Sequence, residues 1–195
     1  MKVRESGMPD EAYWDTFFDP DGVIERLGCV ANSSDRIVEF GSGYSTFTLA
    51  AARRTYGTVH ALEIEPDLVE LLRAKAQALG LRNVNAIRRD FLEEGSGLAD
   101  GSVDHAMAFN ILHLEQPMVL LAEAHRVLAS GGTLSIVHWK VDPATPRGPP
   151  MAMRPTPGQC RAWAEQCGFS FVRAEDLSPL CPHHWGLLLR RTSAA

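Results

Sequence analysis

The feature that constrains this sequence most is a short apolar run that leads into two glycines and then into a helical segment. Val38-Glu39-Phe40 is followed directly by Gly41-Ser42-Gly43. Glycine has no Cβ, so the backbone at Gly41 and Gly43 can pass close beneath a ligand. The arrangement predicts a ligand-binding turn between a buried strand and a helix.

Strand-like and helix-like segments alternate from Arg36 onward. Strands are predicted at 36–40, 58–63, 84–89, 103–109, 133–139, 169–174 and 185–190, and helices at 44–55, 66–79, 117–129 and 157–167. No helix separates the last two strands, and the ten residues between them allow an antiparallel hairpin. The pattern predicts an α/β fold: a mostly parallel, seven-stranded sheet with helices on both faces and a C-terminal antiparallel strand.

The length bounds the domain organisation. A chain of 195 residues is enough for one α/β domain and short for two. The proline-rich stretch 140–156 has flanks that continue the same pattern, so it is interpreted as a long loop. We therefore expect one domain over 1–195, with residues 1–30 as an N-terminal helical cap. Within that cap, the aromatic-rich segment 9–18 is predicted to be helical.

Composition excludes several classes of protein. The net charge is −5 and the three Arg-Arg pairs are isolated from one another, which argues against a nucleic-acid surface. No apolar run approaches the roughly 20 residues of a membrane span, and the N-terminus shows no secretory signal. The four cysteines have no metal-site spacing. We expect a cytoplasmic protein with reduced thiols, no bound metal, and neither membrane nor nucleic acid as a partner.

The sequence of the glycine turn distinguishes a dinucleotide ligand from a positively charged one. The dinucleotide pattern GxGxxG needs glycine at position 46, where this chain has Thr46. Glu39, two residues before Gly41, would repel a pyrophosphate but suits a cationic ligand. A nicotinamide-dependent oxidoreductase is therefore disfavoured.

In the order acid-x-Gly-x-Gly, Glu39, Gly41 and Gly43 make the sequence similar to the class I S-adenosylmethionine-dependent methyltransferases. It looks closest to the type 11 group, which includes quinone-biosynthesis enzymes. Ser45 replaces the last glycine of the family pattern. The segment 99–138 also resembles the family, with a helix ending in R-V-L, two residues, then G-G. The resemblance covers 35–139 well and the ends weakly, and it implies a Rossmann-like fold with S-adenosyl-L-methionine as cofactor.

The resemblance also implies which residues hold each part of the cofactor. The first motif would hold the methionine part, the acid after the second strand the ribose, the residues after the third strand the adenine, and Asn110 the sulfonium end. Glu63 is preferred to Glu65 because strand alternation points it off the strand end. The predicted cofactor-binding residues are Glu39, Gly41, Ser42, Gly43, Glu63, Ile64, Asp90, Phe91 and Asn110.

Histidines are the candidates for a general base. His113 and His138 follow predicted parallel strands, and His184 precedes the last strand, so all three are expected at the ligand-binding edge. With Trp139 they are predicted to surround an acceptor pocket, which Tyr13 and Trp14 would close. A neutral imidazole there would take a proton from the acceptor. Polar rim residues and a metal site are the alternatives.

The sequence therefore predicts a methyltransferase that acts on a small-molecule acceptor, as a monomer or a homodimer. The acceptor itself is not identified. The alternative is a catalytically silent partner subunit that binds S-adenosylmethionine. In relatives an N-terminal helix covers the cofactor, and the segment 9–18 either does the same or joins the core.

Overall fold

The computed structural model describes residues 9–142 and 144–192. Its strands are β1 (Ile37–Phe40), β2 (Val59–Glu63), β3 (Val84–Arg88), β4 (Val103–Phe109), β5 (Leu128–Trp139), β6 (Phe169–Glu175) and β7 (His184–Arg191). They form one sheet in the order β3-β2-β1-β4-β5-β7-β6. Strands β1 to β5 pair in parallel, whereas β7 pairs antiparallel with β5 and with β6. The predicted fold class is confirmed.

Two helices precede β1, and the others occupy connections between strands. They are α1 (Glu11–Asp15), α2 (Pro20–Leu27), α3 (Thr46–Ala52), α4 (Pro66–Ala78), α5 (Phe91–Glu94), α6 (Pro117–Val127) and α7 (Pro157–Gln166), with a 3₁₀ turn at Met151–Met153. None of the helices within 9–142 and 144–192 is long and apolar enough to cross a lipid bilayer.

The sheet divides the core into two layers because alternate residues of a strand point to opposite faces. In β4, Ala106 and Ala108 pack with Leu120 and Leu121 of α6 on one face. Met107 and Phe109 pack on the other face, with α2 and α3. All four residues of β1 are buried, as expected for a central strand covered on both sides.

The start of α7 follows the sequence signal closely. The Thr156 side chain accepts a hydrogen bond from the Gln159 N–H at 3.2 Å, and Gln159 Oε1 accepts from the Thr156 N–H at 2.9 Å. Pro157 occupies the first turn, where its missing N–H has no cost. The predicted capping box is confirmed.

Two boundaries differ from the prediction. The helix predicted over 117–129 ends at Val127, and β5 begins at Leu128, so Gly131 and Gly132 lie inside the strand. The cause is tertiary: Leu128 is fully buried and pairs with Val103 at the start of β4. The glycines then mark a shift of register in the β4–β5 pairing.

At the N-terminus, the helix predicted over 9–18 is shorter than expected, and a second helix follows it within the predicted cap. Helix α1 ends at Asp15, and Asp19 caps a separate α2 by accepting a hydrogen bond from the Gly22 N–H at 3.0 Å. Pro20 stands in the first turn of α2. Positions 1–8 of the predicted cap lie outside the described residues.

A buried arginine fastens the proline-rich loop. Arg154 is 8% exposed, and its guanidinium donates to backbone carbonyls spread along the loop. The acceptors are the carbonyl oxygens of Lys140 (2.8 Å), Arg147 (3.0 Å) and Pro149 (2.8 Å), with the Thr145 hydroxyl as a further partner. Arg154 therefore ties together the described residues of the loop, at the edge of the sheet where β5 ends.

Candidate active site

The carboxyl ends of β1, β2, β3 and β4 open into one cleft with a cavity volume of about 320 Å³. This is the edge at which open parallel sheets bind ligands. All nine residues predicted to hold the cofactor lie in the wall of the cleft: Glu39, Gly41, Ser42, Gly43, Glu63, Ile64, Asp90, Phe91 and Asn110.

The turn after β1 needs left-handed backbone at three positions. Gly41 has φ +78°, Gly43 φ +50° and Ser45 φ +73°. A Cβ added at Gly41 would lie 2.6 Å from Cδ1 of Ile111, which also lines the cleft. Ser45 stands at the place of the family's last glycine and adopts the conformation that a glycine takes most easily. The departure from the family pattern therefore leaves the shape of the turn intact.

Glu63 joins this turn to the next connection. One carboxylate oxygen accepts from the Gly43 N–H at 2.9 Å, and the other accepts from Ile64 N–H at 2.8 Å and Glu65 N–H at 3.1 Å. A carboxylate has about four acceptor sites, so at least one remains beside these three bonds. Glu63 is thus placed to hold the turn and also to accept a ligand hydroxyl.

Glu39 is a second carboxyl group in the same wall, in a different environment. It is 2% exposed and accepts a hydrogen bond from the Thr48 hydroxyl. Burial raises the pKa of Glu39 to about 8, against the opposing effect of the Thr48 bond, and the charge of Glu63 raises it further. Glu39 is therefore largely protonated at pH 7, and it adds little negative charge to the wall.

Buried polar atoms in the wall lack partners. Among the described residues, the hydroxyl of Ser42 and both side-chain atoms of the Asn110 amide have no hydrogen-bond partner. Asn110 is held by its backbone, with φ +54° and an N–H bond of 2.7 Å to the Val137 carbonyl. Leaving such groups unpaired costs on the order of 1–3 kcal/mol each. A polar ligand would satisfy them, so the residues fit S-adenosylmethionine.

At the β3 end, Asp90 and Phe91 form the other side of the cleft. Oδ1 of Asp90 caps α5 by accepting from the Leu92 N–H at 3.2 Å and the Glu93 N–H at 3.4 Å. Phe91 is buried and meets Phe40 edge to face, with ring centroids 5.3 Å apart. An acid and an aromatic residue thus lie in the wall of the cleft directly after β3.

Helix α1 covers part of the cleft. Trp14 lies in the wall, and its indole N–H donates to the Thr46 hydroxyl at 3.0 Å. Lys75 of α4 forms an ion pair with Glu11 and donates to the Tyr44 carbonyl at 2.9 Å. The N-terminal segment is therefore fastened beside the glycine turn, as a covering helix would be.

The three histidines are not arranged around one pocket. His113 Nδ1 lies 3.3 Å from His138 Nε2. In the β5–β7 pairing, His138 lies opposite Trp185, and Trp139 lies opposite His184. Paired residues share a face and neighbours alternate, so His184 and Trp139 lie on the other face of the sheet from His138.

The expected acceptor pocket of His113, His138, His184 and Trp139 is therefore corrected, because β5 sends adjacent side chains to opposite faces. None of these four residues belongs to the described wall of the cleft. Their role as a base stays a prediction.

Burial governs the chemistry of these histidines. It lowers the pKa of His113 to about 4 and that of His138 to about 3, and it holds the pKa of His184 well below its usual range. All three are neutral at pH 7. Within the described residues, no group of three or more histidine, cysteine or acidic side chains is placed to bind a metal ion.

The wall also contains apolar residues that the sequence reasoning did not single out. They are Phe47, Leu68, Phe109, Ile111 and Leu114. Phe109 and Ile111 flank Asn110 at the end of β4, and Phe47 stands in the first turn after the glycine turn. Their closeness in sequence to the predicted strand ends would have identified them as candidates for the wall.

A strand order of β3-β2-β1-β4-β5-β7-β6, a glycine turn after β1 and an acid at the end of β2 define a class I methyltransferase fold with its cofactor cleft. Residues 37–132 match the family described as "Methyltransferase domain". Through this segment the chain is similar to the class I S-adenosylmethionine-dependent methyltransferases.

Individual relatives agree with this family. Aklanonic acid methyltransferase DauC of Streptomyces sp. (strain C5) is 28% identical over 124 residues, which are 61% of this chain and 54% of that protein. A SAM dependent methyltransferase from Aquifex aeolicus superposes with a TM-score of 0.80 at 22% identity, over 93% of both chains. The [4+2]-cyclase SpnF superposes with a TM-score of 0.75 at 18% identity, over 90% of this chain and 80% of that one.

These likenesses differ in what they establish. At these identities, the solved structures show a shared fold. The chain spans about half or less of the length of the curated relatives that it matches, 54% and 40% for two of them.

Proposed function

We propose that the chain binds S-adenosylmethionine in this cleft and transfers its methyl group to a small-molecule acceptor. The observation that carries the proposal is the set of unpartnered polar atoms of Ser42 and Asn110, which face the same cleft as the glycine turn and Glu63. Thr46 stands where a dinucleotide turn needs its third glycine, so the turn does not match a dinucleotide site.

Strand order gives the cofactor a direction across the cleft. Asp90 and Phe91 follow β3 at one end, Glu63 ends β2, Glu39 lies in β1, and Asn110 follows β4 at the other end. The covalent order of the cofactor is adenine, ribose, sulfonium and methionine, so the adenine would lie at the β3 end, and the sulfonium and the methionine part would lie beyond the ribose, toward β1 and β4. The acceptor would approach from the β4 side, beyond Asn110.

When bound, S-adenosylmethionine supplies a methyl group that is already activated on its sulfonium. The residues of this chain then have three tasks: to bind, to orient and to exclude water. Correct orientation alone contributes on the order of 7–11 kcal/mol to a two-reactant step. Trp14 of α1, which lies across the cleft wall, is placed to exclude water.

The wall near Asn110 suits an apolar acceptor. Phe109, Ile111 and Leu114 line the cleft at this end, and Glu39 of the adjacent strand β1 is largely neutral. An acceptor with a soft nucleophile needs no base. An oxygen or nitrogen acceptor needs one, and His113 is the nearest in sequence to the wall, two residues after Ile111 and next to Leu114.

Calorimetry tests the binding step. We expect S-adenosylmethionine and S-adenosylhomocysteine to bind at one site per chain and NADH not to bind. Binding of NADH without a response to the other two would refute the proposal.

Turnover with a radiolabelled methyl donor and a panel of small acceptors tests the transfer step. The second candidate function, a catalytically silent binding subunit, is favoured by the absence of the three histidines from the described wall. Cofactor binding with no transfer to any acceptor, alone or with a partner chain, would support it. Alanine variants of His113, His138 and His184 then test the base: loss of turnover at unchanged cofactor affinity identifies it.

A further inference from the structure

Aromatic rings line one end of the cleft. Trp14, Phe47 and Phe109, called here the aromatic wall, all belong to its lining. Phe47 and Phe109 meet edge to face with ring centroids 4.9 Å apart. Phe18 packs behind them, 4.8 Å from the ring of Trp14 and 5.2 Å from that of Phe47. The three lining rings are thus held in one connected group.

Topology places this wall far from the adenine end. Phe109 ends β4, and Phe47 and Trp14 lie beside the turn that follows β1, whereas Asp90 and Phe91 follow β3. In the sheet, β3 and β4 are separated by β2 and β1. A cofactor with its adenine at β3 would therefore have its sulfonium near the aromatic wall.

An aromatic face attracts a cation through its quadrupole, and the attraction is largest where water is excluded. The other candidate for this task is Glu39, but burial raises its pKa to about 8, so it carries little charge at pH 7. The aromatic wall is then the main group at this end that favours a positively charged sulfur over a neutral one.

We infer that the aromatic wall, and Trp14 in particular, discriminates the charged methyl donor from its uncharged-sulfur product, S-adenosylhomocysteine. The inference rests on the proposed function, because it assumes that this cleft binds the cofactor. Its consequence is that methyl transfer itself removes a favourable contact and so promotes release of the product. Trp14 thereby gains a role in specificity beyond covering the cleft.

The test is the ratio of the two dissociation constants, measured by calorimetry at pH 7 on the full chain. In Trp14→Leu we expect affinity for S-adenosylmethionine to fall by roughly two- to thirty-fold more than affinity for S-adenosylhomocysteine. Trp14→Phe keeps an aromatic face but loses the bond to Thr46, so its ratio should stay within about two-fold of the wild type. Phe91→Leu, at the adenine end, should weaken both ligands equally.

Each outcome of these measurements either supports or overturns the inference. A ratio unchanged in Trp14→Leu overturns the inference, as does an equal change in Trp14→Phe, which would point to the Thr46 hydrogen bond. Circular dichroism shows whether each variant is folded, and Trp14→Tyr provides a second aromatic variant if Trp14→Phe is not. If the wild type binds neither ligand, the proposed function fails and the inference with it. Binding of both with an unaltered ratio refutes the inference alone.

Discussion

Replacing Glu63 by alanine removes the carboxylate that joins the glycine turn to the start of α4. Three backbone N–H groups lose their acceptor: those of Gly43, Ile64 and Glu65. An unpaired buried donor costs on the order of 1–3 kcal/mol. These three residues are only half-buried, so water will satisfy part of the loss. We expect the free energy of unfolding to fall by about 2–4 kcal/mol in total.

Cofactor affinity should fall as well, for two reasons. The ribose loses a charged acceptor, and the turn that must fit the methionine part loses its fastening at Gly43. A charge-assisted hydrogen bond is worth about 1.5–3 kcal/mol, which corresponds to roughly ten- to a hundred-fold in the dissociation constant. Calorimetry gives the affinity, and urea unfolding without ligand gives the stability.

Glu65→Ala is the matched control for this experiment. Glu65 is the N-cap residue of α4, but its side chain makes no capping hydrogen bond there. We expect its effect on both quantities to be clearly smaller. If Glu65→Ala weakened cofactor binding as much as Glu63→Ala, the placement of the ribose at the end of β2 would be wrong.

Three further changes test other parts of the site. Gly41→Val should abolish cofactor binding in a chain that still folds by circular dichroism, because it puts a branched side chain at φ +78° in the cleft wall, against the Ile111 side chain. Gly80→Val, also at positive φ (+67°) but in open space, should bind normally. The folded protein holds a proton on Glu39 up to a pKa of about 8 while the unfolded chain releases it near its ordinary value. Stability should therefore fall as pH rises from about 5 to 8, and urea midpoints of Glu39→Gln should lose this slope. In Arg154→Lys, a single ammonium cannot reach the several carbonyls of the 140–156 loop, so limited proteolysis of the loop should be severalfold faster. The control is Arg161→Lys at an exposed position, which should leave the rate unchanged. Equal proteolysis rates in the two variants would contradict the role of Arg154 in fastening the loop.

Much of the cofactor cleft could be predicted because it depends on strand ends. Glu63 and Asn110 directly end or follow apolar segments, and a parallel sheet brings such positions to one edge. The glycine turn carried its own signal in Gly41 and Gly43. These residues could be placed from the order of strands and helices along the chain, without knowing how the residues of neighbouring strands pair.

The acceptor side depended on register, and there the prediction failed. His138 and Trp139 are neighbours in β5, and strand alternation alone forbids them from sharing a face. Which residue of β7 lies beside His138 or Trp139 depends on the pairing of β5 with β7, and this pairing sets Trp139 opposite His184. Helix α2 was missed for a local reason: the Asp19-Pro20 start signal stood directly after an aromatic run that looked like one helix.

The position of β7 between β5 and β6 has a consequence for how the chain is made. Strand β6 is synthesised before β7, yet β7 is its sheet neighbour, and β5 also keeps an open edge until β7 arrives. On the ribosome, the segments that build the cofactor cleft emerge first, and the facing edges of β5 and β6 stay unpaired until β7 is synthesised. Such edges are sites of intermolecular pairing. The yield of folded protein during expression should therefore depend on how quickly residues 184–191 insert, and slow growth at low temperature should favour soluble product.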